Sequence, residues 1–521
     1  MSVVETTYGP VRGVNLASGV HSAAGRTVEQ VTVWKGIRYA APPVGDLRFR
    51  SPQPPQPWTE IADTTAYGPA CPQPVVARMP LDLGAGQSED CLWMNIWAPV
   101  GTEPGVAKPV MVWLHGGAYV LGAASQPLYD GRNLAGFGNA IVVTVNYRLG
   151  AFGFLDLSSV GSGQGRFDSN IGLRDALAAL HWVRENIAAF GGDPGNVTLF
   201  GESAGAGMVT TLLACPAAGG LFARAIAQSS PATSVYDRDR ARRVTLTVLQ
   251  KLGIAESDAD RVTDLPTAAL VGAGAEVFNE VPVRNPGTLA FVPIVDGDLL
   301  PDYPVKLAQE GRLLPVPLII GTNRNEAALF RLMRSPLMPY TPKAITSMFT
   351  QIAAEQPDLQ LPSVDEIGAA YSGRRKTRTL SMATDVGFRM PTLWLADGHS
   401  AVAPVYLYRF DYSTPMLKLA LVRAAHATEL PYVWGNLGGP QDYSLKLGGV
   451  KTATAVSERV RTRWVNFATY GEPDGLPGQP SWPRHGEPGH ACLVIDKHEA
   501  VASGVDAGIR EAWGGEMVSF R

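Results

Sequence analysis

The chain has 521 residues, with 44 lysines and arginines against 47 aspartates and glutamates and a formal net charge of −3. Hydrophobic residues make up 45% of the chain and charged residues 17%, below the roughly 25% of an average soluble domain, which excludes a disordered protein. A near-neutral chain without a basic block offers no electrostatic footprint for DNA or RNA, so we expect no nucleic-acid partner.

The termini and the cysteines indicate a compartment. Residues 1–8 lack the charged and apolar regions of a signal peptide, and no apolar run approaches the roughly 18 residues of a membrane span. We therefore expect a cytoplasmic protein with no membrane partner. The four cysteines form neither a CxxC motif nor a Cys/His cluster, so we expect no metal site and no cofactor.

The domain organisation follows from the absence of an evident linker. The most proline-rich stretch, residues 42–58, carries Leu47 and Phe49, and linkers rarely carry such large apolar residues. We interpret it as an ordered surface loop. Although the length would allow about three domains, we expect a single domain over residues 1–521.

The clearest secondary-structure signals lie in the middle of the chain. Three short apolar, β-branched runs predict strands at residues 109–114, 140–145 and 196–200. Apolar residues at helical spacing after Ile171 predict a helix that residues 168–170 cap and Gly191 ends, with a turn at residues 193–195. Apolar strands alternating with helices imply a mostly parallel sheet covered on both faces, an α/β fold.

Two further strands are predicted at residues 316–320 and 405–410. The stretches at about 235–290 and 330–400 have a helical pattern broken by proline and glycine. We interpret both stretches as insertions on the sheet scaffold.

Directly after the third strand comes Gly201-Glu-Ser-Ala-Gly205, followed by a helical pattern. A G-x-S-x-G motif carries weight only in a strand–turn–helix context, and that context is present here. A sharp turn raises the central serine above the sheet, and it closes only if the residues two positions away lack bulk. The motif predicts Ser203 as a nucleophile and leaves the Ala204 N–H free at a helix start.

A second glycine motif, His115-Gly-Gly-Ala118, follows the strand at residues 109–114. Acyl transfer needs backbone donors where negative charge develops on the carbonyl oxygen. Small residues let the backbone approach the substrate. The N–H groups of Gly117, Ala118 and Ala204 could therefore form an oxyanion hole.

The histidine is found by elimination. Folds with such a nucleophile turn order their triad as serine, acid, histidine. Five of the eight histidines follow Ser203, and among them only His426 lies in a loop after a good strand. We therefore predict His426 as the general base.

The acid stays open on position alone. Glu326 follows the strand at residues 316–320 by a few positions, but Asp296, Asp411 and Glu429 are rivals. A carboxylate in a loop is often only a solvated charge.

Blocks along nearly the whole chain resemble the type-B carboxylesterases, a family that includes bacterial p-nitrobenzyl-type esterases, animal carboxylesterases and cholinesterases. In chain order the blocks are Gly9-Pro-Val-Arg-Gly13, Gly36-Ile-Arg-Tyr-Ala40, Leu47-Arg-Phe49, Glu89-Asp-Cys-Leu-Trp-Met-Asn95, Gly201-Glu-Ser-Ala-Gly205, Phe291-Val-Pro-Ile-Val-Asp-Gly297, Gly321-Thr-Asn-Arg-Asn-Glu326 and His426-Ala-Thr-Glu-Leu-Pro431. The resemblance implies an α/β-hydrolase fold whose large helical insertions form a gorge.

The resemblance also assigns roles. It implies a triad of Ser203, Glu326 and His426, and it places the oxyanion hole at the N–H groups predicted above. It further implies a gorge lined by Gly116, Tyr119, Leu329, Phe330 and parts of the 330–400 insertion.

The implied function is hydrolysis of small, uncharged carboxylic esters by a monomer or small homo-oligomer. A specialised hydrolase of a carbamate or amide would use the same triad. Non-catalytic adhesion members of the family typically lack the nucleophile, whereas this chain has Ser203. Cys71 and Cys91 match a disulfide of secreted relatives, and their pairing here stays open.

Overall fold

The computed structural model describes residues 2–19, 29–76, 81–101, 107–160, 166–439, 443–486 and 489–521. The strands are β1 (Ser2–Glu5), β2 (Pro10–Ala17), β3 (Gln30–Arg38), β4 (Ala62–Asp63), β5 (Trp93–Pro99), β6 (Lys108–Leu114), β7 (Ile141–Val145), β8 (Gly192–Glu202), β9 (Arg224–Gln228), β10 (Leu318–Asn323), β11 (Val405–Phe410), β12 (Ala491–Ile495) and β13 (Ala500–Ser503).

The helices are α1 (Arg132–Gly138), α2 (Gly150–Phe154), α3 (Ile171–Asn186), α4 (Ala204–Leu213), α5 (Arg238–Lys251), α6 (Thr267–Arg284), α7 (Pro304–Gln309), α8 (Ala327–Met333), α9 (Pro342–Glu355), α10 (Val364–Ala369), α11 (Arg375–Thr384), α12 (Met390–His399), α13 (Pro415–Leu419), α14 (Leu430–Trp434), α15 (Val450–Tyr470) and α16 (Ala507–Trp513). A π-helical turn, Asp385–Arg389, joins α11 to α12.

The strands form one sheet in the order β1-β2-β3-β5-β7-β6-β8-β9-β10-β11-β12-β13, and β4 pairs with β2. From β7 to β12 all neighbours are parallel, whereas the strands at both ends of the order pair in antiparallel fashion. The carboxyl ends of the central strands therefore meet at one edge of the sheet.

Helices cover both faces of this sheet. Along β6, Val110 and Val112 pack into a core with residues of α3, α4, α7 and α12, while Met111 and Trp113 pack into a second core with residues of α1, α14 and α15. Alternate residues of a strand point to opposite faces, so a continuous apolar strand is buried on both sides. This arrangement confirms the predicted α/β class.

All five predicted strands are present: β11 has the predicted bounds, and the bounds of β6, β7, β8 and β10 are shifted. The run at residues 316–320 pairs only from Leu318, because Pro317 has no N–H to donate to a neighbouring strand. The predicted turn at residues 193–195 lies in an irregular part of β8, where Gly192 pairs with Lys108 and Val197 pairs with Val110. Within it the Gly195 N–H donates to the Asp193 side chain (2.8 Å).

The predicted cap of α3 is wrong. Asn170 precedes the helix at φ 52° and its side chain makes no capping hydrogen bond. Its amide instead donates to the carbonyl of Ile294 (2.9 Å) and to Asp296 (2.7 Å). The Asn170 side chain therefore binds the distant segment that contains Ile294 and Asp296, and it does not cap α3 as the local sequence pattern predicted.

The two stretches with a helical pattern do contain helices. Helices α5 and α6 lie within residues 235–290, and α9 to α12 lie within residues 330–400. None of the helices in the described ranges combines the length and the apolar character needed to cross a membrane.

The backbones pack closely where α4 begins beside the end of β6. A Cβ atom on Gly205 would lie 2.0 Å from the carbonyl oxygen of Leu114 and 2.7 Å from that of His115. These distances leave no room for any side chain at position 205.

Replacement of Gly205 tests this packing. Gly205→Ala forces the backbone apart, so we expect it to lower the free energy of unfolding by at least roughly 1–3 kcal/mol in urea titrations. Gly272→Ala is the matched control, because its new Cβ in the exposed part of α6 would meet no atom within 4 Å. The control should keep or raise stability, and equal stability of both variants would contradict the packing.

Candidate active site

Ser203 lies at the sharp turn between β8 and α4. Its backbone has φ 57° and ψ −126°, and a positive φ costs a non-glycine residue roughly 1–3 kcal/mol unless its surroundings enforce it. Its N–H donates to the carbonyl of Gln228 at the end of β9 (2.9 Å). A Cβ on Gly201 would lie 2.6 Å from the carbonyl carbon of Gly205, so the turn closes only with glycine at both positions.

His426 and Glu326 meet Ser203 above the carboxyl edge of the sheet. The His426 Nε2 lies 2.8 Å from the Ser203 Oγ, and its Nδ1 lies 2.8 Å from the Glu326 Oε2. The other oxygen of Glu326 accepts hydrogen bonds from the Ser229 hydroxyl and the Asn323 N–H, both at 2.6 Å. The carboxylate is fully buried, and these donors fix its orientation.

The rival carboxylates are engaged elsewhere. Asp296 accepts hydrogen bonds from the Ser169 hydroxyl and the Asn170 amide. Asp411 pairs with Arg409 at 2.8 Å. Glu429 accepts a hydrogen bond from Gln228 (3.2 Å) and another from Asn323. Of the four candidate acids, Glu326 is the one that hydrogen-bonds to His426.

The expected oxyanion donors surround the serine. Ala204 is the first residue of α4, where a backbone N–H has no acceptor within the helix. Gly117 and Ala118 lie in the loop after β6 at φ 123° and 53°. All three residues line the same cavity as Ser203. The loop also touches the nucleophile turn directly, since a Cβ on Gly116 would lie 3.1 Å from the Ser203 Cβ.

Two neighbours of His426 were not predicted from the sequence. A carboxylate oxygen of Glu202 lies 3.2 Å from the His426 Nε2. The ring centroid of Phe388, in the π-helical turn, lies 4.5 Å from that of His426. Glu202 directly precedes the predicted nucleophile, so its position in the motif was the available signal, whereas no sequence feature ties Phe388 to the site.

The electrostatics of the site centre on His426. Burial lowers the pKa of its imidazole, but the Glu202 and Glu326 carboxylates raise it, and the net shift is upward. Burial likewise raises the pKa of the Glu202 carboxyl, against the opposing effect of His426. By contrast, burial lowers the pKa of His115, the first residue of the loop after β6, to about 4.

A cavity of about 700 Å³ opens in front of Ser203. The four residues expected to line the gorge, Gly116, Tyr119, Leu329 and Phe330, all line it. Other walls come from α6, α9, the π-helical turn and the C-terminal segment, through Phe278, Met348, Phe388 and Phe520. Apart from His426, the charged residues among the described lining are Glu202, which is buried, and Arg334, which is exposed.

One polar cluster elsewhere has metal-ligand chemistry. Asp397, His485 and His490 bring ligand atoms within 4.8 Å of one another. However, Arg510 donates to Asp397, and one of its guanidinium nitrogens lies 3.5 Å from the His485 Nε2. Because a fixed positive charge already lies among these groups, we interpret the cluster as an ion network.

Sequence similarity to known proteins extends along almost the whole chain. Residues 1–508 match a model of the carboxylesterase family. The para-nitrobenzyl esterase of Bacillus subtilis (strain 168) is 41% identical over 497 residues, which is 95% of this chain and 94% of that protein. The liver carboxylesterase of Sus scrofa is 35% identical over 537 residues, which is 96% of this chain and 90% of that protein.

Solved structures agree with this similarity. A PNB esterase superposes with a TM-score of 0.80 at 38% identity, over 98% of this chain and 99% of the other. A carboxylesterase of Geobacillus stearothermophilus superposes with a TM-score of 0.82 at 34% identity, over 99% of this chain and 100% of the other.

The contact between Glu202 and His426 predicts a pH effect. A nearby carboxylate stabilises the imidazolium, so Glu202→Gln should lower the pKa of His426 and move the acidic limb of the kcat/KM profile to lower pH, by roughly one unit or more. Glu185→Gln, at an exposed position of α3, is the control and should leave the limb in place. A limb that stays fixed or moves upward in Glu202→Gln would contradict this electrostatic coupling.

Proposed function

The chain belongs to the carboxylesterase family and hydrolyses carboxylic esters, and we propose that it does so through an acyl-enzyme formed on Ser203. The α/β-hydrolase fold that its sequence predicted is confirmed by the solved relatives. In this proposal His426 is the general base and Glu326 is the acid that orients it.

The hydrogen-bonded chain from Ser203 through His426 to Glu326 carries the proposal. A serine hydroxyl is a weak nucleophile at neutral pH and reacts only when a base accepts its proton. The 2.8 Å contact to the His426 Nε2 supplies that base. The 2.8 Å contact to Glu326 holds the Nδ1 proton on the far side of the ring, so that Nε2 faces the serine as an acceptor.

The reaction follows in two halves. The Ser203 oxygen attacks the ester carbonyl while His426 takes the hydroxyl proton, and the Glu326 carboxylate stabilises the imidazolium that forms. His426 then gives the proton to the leaving alcohol. A water molecule, activated in the same way, attacks the acyl-enzyme and releases the acid.

The developing oxyanion needs donors that are already in place. The N–H groups of Gly117, Ala118 and Ala204 take this role in the proposal, since their residues border the serine in the cavity. One such donor is typically worth a factor of roughly 10²–10³ in kcat. Donors fixed in the backbone need no reorganisation when the charge appears.

The cavity favours neutral esters. Its walls are largely apolar, and apart from His426 the basic residue in its described lining is Arg334, which is exposed, so an anionic group near the reacting carbonyl would lose its hydration without a buried basic partner. We propose uncharged esters of modest acyl length as substrates, with Tyr119, Leu329 and Phe330 among the groups that bind them.

The wider setting is also part of the proposal. We propose one domain over residues 1–521, in which the helices of residues 235–290 and 330–400 are insertions that wall the gorge. We further propose a cytoplasmic location and a monomer or small homo-oligomer. Cell fractionation and light scattering of the purified protein test these two points.

Removal of the nucleophile is the first test. Ser203→Ala should lower the rate of p-nitrophenyl butyrate hydrolysis by at least ~10⁴-fold with an unchanged melting temperature. Ser234→Ala removes another hydroxyl that lines the same cavity and should retain activity within a few-fold. More than a tenth of the parent rate in Ser203→Ala would refute the assignment.

The acid is tested by comparing two carboxylates. In Glu326→Gln the amide can present an N–H to His426, which stabilises the wrong tautomer and should lower kcat by roughly 10³–10⁴-fold. Asp411→Asn should keep most of the rate, because Asp411 pairs with Arg409 rather than with the histidine. Full activity in the first variant with loss in the second would reverse the choice of acid.

A further inference from the structure

The oxyanion loop, residues 115–122, is held in a strained conformation. Gly117 has φ 123° and Gly122 has φ 103°, and between them Ala118 and Tyr119 have φ 53° and 61° although neither is glycine. Non-glycine residues keep such values only where surrounding contacts enforce them. The contacts that hold the loop therefore decide where its N–H groups point.

The side chain of Gln73 holds the loop through two hydrogen bonds to Gly122. Its side-chain nitrogen donates to the carbonyl of Gly122 (2.8 Å), and its side-chain oxygen accepts the N–H of Gly122 (2.7 Å). One planar carboxamide thus binds both backbone groups of a single loop residue. Gln73 is 6% exposed, so water cannot readily replace it.

Gly122, which Gln73 holds in place, packs against the start of the loop. A Cβ on Gly122 would lie 2.6 Å from the carbonyl oxygen of Gly116 and 2.6 Å from the His115 Nδ1. His115 Nδ1 in turn lies 2.9 Å from that same Gly116 oxygen. The two ends of the loop are therefore packed against each other, and Gly117 and Ala118 lie between them.

Gln73 itself is rigidly placed. It lies between Pro72 and Pro74, whose rings restrict the backbone on both sides. Its side-chain nitrogen also donates to the carbonyl of Cys71 (3.1 Å), and the Cys71 Sγ accepts the N–H of Leu149 (3.2 Å). The N–H of Gly150, next to Leu149, donates to the carbonyl of Tyr119 in the loop (2.7 Å), so Cys71 and the loop are both hydrogen-bonded to the same segment.

We propose that Gln73 is a positioning residue for the oxyanion hole. Its carboxamide fixes Gly122 and, through the packing of Gly122 on Gly116, sets the direction of the Gly117 and Ala118 N–H groups. Gln73 does not border the cavity, so it acts through the loop and not on the substrate. The inference rests on the proposed function of these N–H groups.

The test compares Gln73→Met, Gln73→Glu and the parent with p-nitrophenyl butyrate. Gln73→Met removes the hydrogen-bond partners of both the N–H and the carbonyl of Gly122. Gln73→Glu keeps the shape of the side chain, but a carboxylate oxygen then faces the Gly122 carbonyl where the Gln73 amide donated to it. We expect kcat to fall roughly 10- to 100-fold in both, with KM changed by less than about threefold, since misplaced donors weaken only transition-state binding.

A second measurement separates positioning from a general loss of structure. The affinity for a trifluoromethyl ketone, which adds to the serine and places an oxyanion in the hole, should fall by the same factor as kcat/KM. The acidic limb of the pH profile should stay in place, because the triad is untouched. Gln87→Met is the matched control: Gln87 accepts the Gln73 backbone N–H (2.9 Å), and its loss should leave kcat within twofold.

Folded Gln73 variants with parental kcat and parental ketone affinity would overturn the inference, as would a rise in KM alone. If Gln73→Met does not fold, the isosteric Gln73→Glu decides by the same criteria. These outcomes presuppose an active parent. An inactive parent, or an active Ser203→Ala, would instead remove the proposed function on which the inference rests.

Discussion

The close approach of Gly205 to the carbonyl groups of Leu114 and His115 sets the geometry of the whole site. It presses the nucleophile turn at the end of β8 against the end of β6. Because β6 continues directly into the loop that holds Gly117 and Ala118, the same contact places Ser203 beside the backbone N–H groups that we propose as oxyanion donors. Gly116, packed against Glu202 and Ser203 from the other side, leaves no space between the two loops.

The parallel sheet brings in the remaining groups. The order β8-β9-β10-β11 places the loops after β8, β10 and β11 along one edge, so Ser203, Glu326 and His426 meet although more than a hundred residues separate the first from the others. A buried carboxylate is costly unless it is hydrogen-bonded. Ser229 and Asn323 meet that need, and they also stop Glu326 from rotating away from the imidazole.

The sharp turn at Ser203 and the central strands could be predicted from the sequence because they depend on local residue size and hydrophobicity. Gly201 and Gly205 mark the sharp turn because no other residue fits there, and apolar β-branched runs mark strands buried on both faces. The acid was not decidable in this way, since Glu326 and Asp411 both follow strands and differ only in partners that the fold supplies. The resemblance to carboxylesterases selected Glu326. Asn170, Phe388 and Gln73 escaped prediction because their roles depend on contacts with distant segments.

The proposed reaction depends on acyl transfer at the Ser203 hydroxyl. Incubation with diethyl p-nitrophenyl phosphate, followed by intact-mass measurement and peptide mapping, tests it most directly. We expect one diethylphosphoryl group per chain, located on the Ser203 hydroxyl, and a loss of esterase activity that is proportional to its incorporation and complete at full modification. Activity that survives full modification of Ser203, or an adduct on a different residue that accompanies inactivation, would contradict it.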